Sequence, residues 1–342
     1  MTNELEPVWS STRVWNGVTI DHDGRAFVSF PSCDGPGVQL ARLDAEGNAQ
    51  PYPDPAWNKV RETPDPAAGF VNVNAARIGP DGKLWVIDGG AQGIGKPAVP
   101  GGGRLIVFDT DTDTHVDTID LAPCLKPNSY VDDIRFNGDF IYVTDAGAPG
   151  MVVVNRQTGQ MRRVLNDHFS TTDQRAMYAD GKLLLTEDGS ELRVHNDQIE
   201  VSPDGSKVYY QPSSGPLYVL PSALLDDFDT PEETIAGAVT EFFDGGTTGG
   251  TAIDAAGTIY LNSTNRRQLL RIYPDGTSDV LLQDDRLIWA DAMWITGDGY
   301  LYIPATQQNR TPGFNAGRMT VQYPVWIYRL KIDQSPALND HS

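Results

Sequence analysis

The feature that most constrains the fold is a β-hairpin that the chain repeats six times. The clearest copy, HNDQIEVSPDGSKVYY at residues 195–210, joins an alternating apolar strand, a Pro-Asp-Gly turn and a second strand rich in aromatic and β-branched residues. The copies align on their turn glycines, which are Gly24, Gly82, Gly138, Gly205, Gly257 and Gly299. Successive glycines are 42 to 67 residues apart, which is enough for four short strands in each unit.

A repeat of this length predicts a β-propeller, because one such sheet cannot bury both of its faces alone. Six copies in 342 residues predict an all-β fold, a six-bladed β-propeller of four-stranded antiparallel blades around a central tunnel. We expect residues 1–342 to form this single domain. We also expect a strand at residues 8–15 to pair with residues 325–332 and close the ring. The long polar loop at 306–319 is predicted to cover one mouth of the tunnel.

Charge and composition narrow the choice of partners. The formal net charge is -20 and no basic block offsets it, which argues against nucleic acid and anionic membranes as partners. No apolar run approaches the ~20 residues that span a bilayer. The N-terminal MTNELEPVWSS lacks the basic start and apolar core of a signal peptide. We expect a cytoplasmic monomer with a small-molecule ligand, or a secreted protein if a leader has been removed.

The only two cysteines, Cys33 and Cys124, stand in the loop-like segments PSCDGPG and LAPCLKPN. Their separation gives neither a zinc pattern nor a C-x-x-C motif. We expect two unrelated thiols, and a disulfide between them is the alternative.

Several segments together resemble the yellow / major royal jelly protein family. They are FVSFP (27–31), LWVIDGG (84–90), SYVDDIRF (129–136), SPDGSKVYYQPSSGPLYVLPSALL (202–225) and RLIWADAMWITGDGYLYI (286–303). The resemblance implies a six-bladed propeller with a ligand site at its central tunnel. It leaves the activity open, because the family includes dopachrome-converting enzymes, amine binders and nutritive proteins.

A column of mostly polar residues marks the start of the first strand in each repeat. Its members are Asn16, Asn74, Asp132, Asp197, Gly249 and Asp291. The positions two and four residues after each member are mostly apolar, as the packed face of a strand requires. Because the innermost strands of a propeller surround its axis, this column predicts a polar ring at one mouth of the tunnel.

The three aspartates of this ring need a partner for their charge. At a separation of about 8 Å and an effective dielectric constant of about 20, each pair repels by roughly 2 kcal/mol. A cation, a retained proton or a basic group can relieve this repulsion. Carboxylate and amide oxygens suit Ca²⁺ or Mg²⁺, so we predict a divalent cation held by Asp132, Asp197, Asp291 and Asn74. Ordered water or a purely structural ion is the alternative.

Roles follow for the remaining candidates. Strand alternation predicts that His195 faces the same side as Asp197 and acts as the general base, beside Asp197 and Asp132 as catalytic carboxylates. We predict that the substrate contacts Asn16, Asn74 and Trp289. The neighbouring column, by contrast, is predicted to be a structural network of ion pairs, formed by Arg77, Asp133, Arg135 and Glu200.

The ring is also similar to that of the sugar-lactonase propellers, which carry Glu, Asn and Asp ligands at the starts of their inner strands. Here Asn16 stands where their Glu is expected and Gly249 where an Asp is expected, so the resemblance does not imply an identical metal site. The leading hypothesis is cation-assisted hydrolysis of a lactone-type cyclic substrate. The alternatives are a tautomerase or isomerase like the dopachrome-converting relatives and a non-catalytic binder of aromatic amines.

Overall fold

Six four-stranded antiparallel sheets make up the protein. The computed structural model describes residues 4–59 and 65–341. Strand β1 is Glu6–Ser11. The first blade is β2 (Val18–Ile20), β3 (Ala26–Ser29), β4 (Leu40–Leu43) and β5 (Ala49–Pro51). The second is β6 (Val73–Ile78), β7 (Leu84–Ala91), β8 (Ala98–Asp109) and β9 (Thr114–Asp120). The third is β10 (Val131–Asn137), β11 (Phe140–Asp145), β12 (Met151–Asn155) and β13 (Met161–Val164).

A two-stranded hairpin of β14 (Tyr178–Ala179) and β15 (Lys182–Leu183) precedes the fourth blade. That blade is β16 (Asn196–Val201), β17 (Lys207–Pro212), β18 (Leu217–Pro221) and β19 (Thr240–Phe243), with helices α1 (Ser222–Asp226) and α2 (Glu232–Ala238) between its last two strands. The fifth is β20 (Thr251–Ile253), β21 (Ile259–Ser263), β22 (Gln268–Ile272) and β23 (Ser278–Gln283). The sixth is β24 (Trp294–Ile295), β25 (Tyr300–Ala305), β26 (Val325–Lys331) and β1. Short 3-10 helices are Ala122–Cys124, Gln308–Arg310 and Pro312–Phe314.

The predicted six-bladed propeller is confirmed. All six turn glycines have φ between 57° and 83°, a backbone region that residues with a Cβ rarely adopt, which explains why the hairpin turns carry glycine. Strand β1 pairs antiparallel with β26, so the outermost strand of the sixth blade comes from the other end of the chain. This pairing agrees with the predicted closure of the ring.

The apolar cores lie between neighbouring blades. One cluster joins Phe27 of the first blade, Phe108 of the second and Trp294 of the sixth, and each further cluster combines two adjacent sheets. Each blade therefore buries both faces only in the presence of its neighbours, as the repeat length predicts. No helix among the described residues has the length and apolarity needed to cross a membrane.

After β26 the chain crosses the face that carries the turn glycines and ends at the axis. Ala255 N donates to Ser335 O at 2.9 Å, and Asn339 Nδ2 donates to Ser202 O at 2.9 Å. Asp340 and His341 are buried. The His341 ring stacks on Trp294 with centroids 3.6 Å apart, and its Nε2 lies 2.7 Å from Ile295 O. The tail therefore covers the axis at the end opposite the polar ring.

Candidate functional site

The structure brings the predicted polar column together on the propeller axis. Two small cavities share the ring residues Asn16, Asp132, Asp197, Gly249 and Asp291 as their lining, and Asn74 lines the outer cavity. The volume open to water is about 30 Å³ in the outer cavity and about 20 Å³ in the inner one. The ring therefore has room for waters or an ion, and a larger ligand has to approach from the outer side.

Three ring residues project towards the axis from irregularities in their strands. The pairing register shifts around Asn74 between Val73 and Ala75, around Asp132 between Val131 and Ile134, and around Asp197 between Asn196 and Gln198. A bulge leaves its extra residue outside the ladder and turns its side chain, and bulges are common beside functional sites. The bulges thus position the ring while the rest of each strand keeps its packed face.

Hydrogen bonds connect the ring from blade to blade. Asn16 Nδ2 donates to Asn74 O at 3.2 Å, and Asn74 Nδ2 donates to Asp132 Oδ1 at 2.7 Å. Tyr130 OH donates to Asn74 Oδ1 at 3.2 Å. Asn16 is therefore anchored to the Asn74 backbone, while Tyr130 and Asp132 fix the Asn74 side-chain amide, which preorganises this side of the ring.

Asp132 and Asp197 form a hydrogen-bonded carboxyl pair. Burial, together with the charge of Asp197, raises the pKa of Asp132 well above its usual value. Burial raises the pKa of Asp197 to about 6, although hydrogen bonds from Ser213 and Asp132 act in the opposite direction. Two carboxyl groups in contact cannot both ionise cheaply, so without a cation the pair retains one proton.

Asp291 completes the acidic side of the ring and is held by Trp289. Trp289 Nε1 donates to Asp291 Oδ2 at 3.0 Å, and Ala292 N donates to Oδ1 at 2.9 Å. Burial and the charge of Asp197 raise the pKa of Asp291 well above its usual value. Trp289 has φ of 50°, an unfavourable conformation for a bulky residue, and Thr306 N and Oγ1 both bond its carbonyl. The indole is therefore fixed at the ring.

His195 lies elsewhere than strand alternation predicts. Its Nδ1 accepts a hydrogen bond of 3.1 Å from Asp173 N, and it lines neither cavity. Burial lowers its pKa, which favours the neutral ring. His195 precedes the first residue of β16, and the bulge at Asp197 interrupts the period of two, so the two side chains do not share a direction. The geometry that suggested His195 as the general base is therefore absent.

In the layer below the ring, buried arginines form ion pairs with the acids, as the sequence predicts. Arg135 forms ion pairs with Asp133 at 2.6 Å and Glu200 at 2.9 Å, and Arg77 pairs with Asp340 at 2.7 Å. Asp340 belongs to the tail that covers the axis. By contrast, no described arginine forms an ion pair with the three ring aspartates. Each acid of the inner layer therefore has an arginine partner, and the ring aspartates have none among the described residues.

Cys33 and Cys124 are both free thiols. Burial raises the pKa of the Cys33 thiol to about 12, and the nearby Asp34 adds to this effect. Since the thiolate is the nucleophilic form, this raised pKa disfavours a nucleophilic role for Cys33 at neutral pH.

The donor set of the ring matches a hard divalent cation. The three carboxylates and the Asn16 and Asn74 amides supply only oxygen ligands of the kind that Ca²⁺ and Mg²⁺ prefer. Among the described residues, the carboxylate oxygens of Asp132, Asp197 and Asp291 do not all lie within 4.8 Å of one another, so enclosing an ion requires a small side-chain shift. The residues that meet this distance criterion, His22, Asp23 and Asp111, are exposed on the surface.

Two residues of the site are not predicted from the sequence. The hydroxyl of Ser213, which donates to Asp197 Oδ2, follows a strand of the same blade, and Tyr130 precedes the bulge at Asp132. Neither residue belongs to the repeated column, so the alignment of turn glycines does not find it. Trp289, which the sequence does predict, reaches the ring through Asp291.

Comparisons with solved structures identify propellers of the same fold. A gluconolactonase from Xanthomonas campestris is 12% identical over 96% of this chain and 89% of that chain, with a TM-score of 0.59. Regucalcin from Agrobacterium tumefaciens, a calcium-binding protein, is 14% identical over 95% and 93%, with a TM-score of 0.54. A virginiamycin B lyase from Staphylococcus aureus is 12% identical over 96% and 99%, with a TM-score of 0.52. At these identities the likeness concerns the fold.

The comparison with curated protein sequences finds no significant match. The family model described as major royal jelly protein matches residues 72–335, which include five of the six ring positions. Since this match covers most of the sequence and agrees with the resemblance of the individual segments, the chain belongs to the major royal jelly protein family.

Proposed function

We propose that the protein is a cation-assisted hydrolase of a lactone-type cyclic substrate, with its site at the polar ring. The observation that carries the proposal is the contrast between two layers of acids on one axis. Arg77 and Arg135 form ion pairs with the acids of the inner layer, while Asp132, Asp197 and Asp291 converge without a described arginine. Such an acidic cluster either retains protons, as the carboxyl pair does, or binds a ligand that supplies positive charge.

The chain's own residues can hold such a cation in the ring. Asp132, Asp197, Asp291 and Asn74 would provide the oxygens, and Tyr130 would keep the Asn74 side chain oriented through its hydrogen bond. When bound, a hard cation would polarise the carbonyl of the lactone and stabilise the negative charge that develops on its oxygen. The gluconolactonase and the calcium-binding regucalcin, which share the fold, are consistent with this proposal.

The carboxyl pair supplies the proton transfers. A carboxylate of the Asp132–Asp197 pair accepts a proton from the attacking water as the water oxygen bonds to the carbonyl carbon. The bond from that carbon to the ring oxygen then breaks, and the proton moves to the leaving oxygen to give the hydroxy acid. Ser213 holds Asp197 in place throughout, and Trp289 does the same for Asp291.

The experiment that tests this function is lactone hydrolysis followed by pH-stat with the protein before and after chelation. We expect activity to disappear with the chelator and to return when Ca²⁺ or Mg²⁺ is added back. Calorimetry should show that Asp291→Asn weakens cation binding at least tenfold. Activity that is unchanged after complete removal of metal would refute the proposal.

The unequal pKa values of the two carboxyl groups favour a second candidate, a tautomerase or isomerase. Asp197 has a pKa of about 6, and that of Asp132 is raised further from its usual value, an arrangement that can move a proton between two positions of one substrate. This activity predicts metal-independent exchange of substrate protons with deuterated solvent, which NMR can follow. Exchange without hydrolysis would favour it over the lactonase.

A further inference from the structure

The outer cavity joins a polar floor to an apolar wall. The floor is the ring of carboxylates and amides, and the wall consists of Ile94, Val194, Trp289 and Phe314, with Gln308 as a polar neighbour. Trp289 and Phe314 meet edge to face with their ring centroids 5.4 Å apart. Val194 and Trp289 belong to a buried apolar cluster that also contains Tyr130, and Ile94 and Phe314 pack against it. The wall is thus one surface of a hydrophobic core.

This division limits what the non-reacting part of a substrate can be. A lactone whose carbonyl reaches the ring must place its substituents against the wall. Hydroxyl groups buried there would lose water without gaining enough hydrogen-bond partners, which is unfavourable. An alkyl or aryl substituent would instead exchange water for Trp289 and Phe314, which is the favourable arrangement in ligand pockets.

Phe314 lies on the segment that already covers the cavity. The segment carries the 3-10 helices Gln308–Arg310 and Pro312–Phe314. It is attached to the loop after β15, because Leu185 N donates to Phe314 O at 3.3 Å and Ala316 N donates to Leu185 O at 3.0 Å. Phe314 lines the outer cavity next to Trp289, so a substituent that extends outward from a lactone in the ring contacts it.

We propose that the protein selects lactones that carry an apolar alkyl or aryl substituent rather than polyhydroxylated sugar lactones, and that Phe314 is a specificity-determining residue. This inference rests on the proposed function and adds the substrate class to it. It also departs from what the gluconolactonase neighbour would suggest. In this proposal the apolar wall selects the substrate, and the carboxylates and amides of the floor carry out the hydrolysis.

Three lactones with the same six-membered ring test the inference. They are δ-valerolactone, which has no substituent, δ-decanolactone, which has an alkyl chain, and δ-gluconolactone, which has hydroxyl groups. We expect kcat/KM to be highest for δ-decanolactone, and at least tenfold above δ-gluconolactone. Phe314→Ala should raise KM for δ-decanolactone about tenfold more than it raises KM for δ-valerolactone. The matched control is Phe169→Ala, which truncates a half-exposed phenylalanine (50% exposed) that packs on Tyr218 of the fourth blade.

The outcomes separate this inference from the proposed function. Hydrolysis of all three compounds with a preference for δ-gluconolactone, or a preference that Phe314→Ala does not change, overturns the inference and leaves the hydrolase in place. If no lactone is hydrolysed, the proposed function fails. Calorimetry of lactone binding then tests whether the apolar wall selects the substituent. In that case tighter binding of δ-decanolactone that Phe314→Ala weakens supports the wall's selectivity, and equal binding overturns it.

Discussion

A Cβ atom placed on Gly249 would lie 2.7 Å from Nε1 of Trp289, the nitrogen that donates to Asp291 Oδ2. The same atom would lie 2.6 Å from Ala290 O, so backbone blocks it as well. The missing carboxylate at this ring position therefore reflects packing: the indole occupies the space that an aspartate side chain would need. The glycine therefore cannot gain a side chain while Trp289 keeps its place.

We expect Gly249→Ala to displace Trp289 and to release Asp291 from its hydrogen bond. Overpacking of this kind costs about 1–3 kcal/mol of unfolding free energy. Loss of the fixed carboxylate should lower cation affinity as well. Urea unfolding and calorimetry with Ca²⁺ measure the two effects. Gly297→Ala is the matched control, because a Cβ at that exposed glycine meets nothing within 4 Å, and it should change neither quantity.

Asp197→Asn should stabilise the cation-free protein at neutral pH. The pKa of Asp197 is raised from 3.8 to about 6, so the folded protein holds a proton that the unfolded chain releases between these values. Stability is therefore lost as the pH rises through this window, by at most about 3 kcal/mol. The amide removes this loss, accepts from Ser213 and donates to Asp132. With a chelator present, the unfolding free energy of the variant should exceed that of the wild type at pH 7.5 and match it below pH 4. The same difference between the two proteins at both pH values would contradict the pKa assignment.

Asp340→Asn should have the opposite pH dependence. Burial alone would raise the pKa of Asp340, but the ion pair with Arg77 outweighs it and holds that pKa well below its usual value. Its contribution is complete above the unfolded pKa of about 4 and declines as the pH falls further. We expect the variant to be about 3 kcal/mol less stable at pH 7. In thermal unfolding, the difference from wild type should narrow below pH 4.

Removal of Arg135 should be among the most damaging changes outside the ring. Its guanidinium is only 2% exposed and pairs with Asp133 and Glu200, so Arg135→Ala leaves two buried acids without a cation. Such a loss costs about 3–5 kcal/mol. The comparison is Arg271→Ala, whose partner Asp279 is 45% exposed and whose ion pair is worth less than about 1 kcal/mol. Similar unfolding midpoints for the two variants would show that the inner layer is not structurally important.

The repeat predicts the architecture because the strands of most blades are consecutive in the sequence. The sequence of each hairpin contains its own turn glycine and its own apolar strand face. Six copies are therefore enough to predict six blades and the polar ring. The bulges at Asn74, Asp132 and Asp197 lie outside such a pattern, because they depend on how each strand pairs with the next. This is why the alternation argument fails for His195.

The end of the chain shows a second limit of sequence patterns. Asp340 and His341 carry no repeat and no strand signal, yet they meet Arg77 and Trp294 at the axis. Arg77 is 263 positions from Asp340, and Trp294 is separated from His341 by two strands of the sixth blade, so only tertiary contacts select these partners. The prediction of a structural network at Arg77 and Arg135 was right, but it lacked the acid that completes it.

The pairing of β1 with β26 also sets an order of events during synthesis. Glu6 and Arg329 stand 323 positions apart and form an ion pair across the two strands. At about 5–20 residues per second, a ribosome needs roughly 15 to 60 s to make the intervening chain. Until then β1 has no partner. After β26 has been made, its outer edge can pair with other chains until β1 occupies it. Closing so long a loop is entropically costly and slow, so the sixth blade should be the last to assemble and the one most exposed to misassembly in the cell.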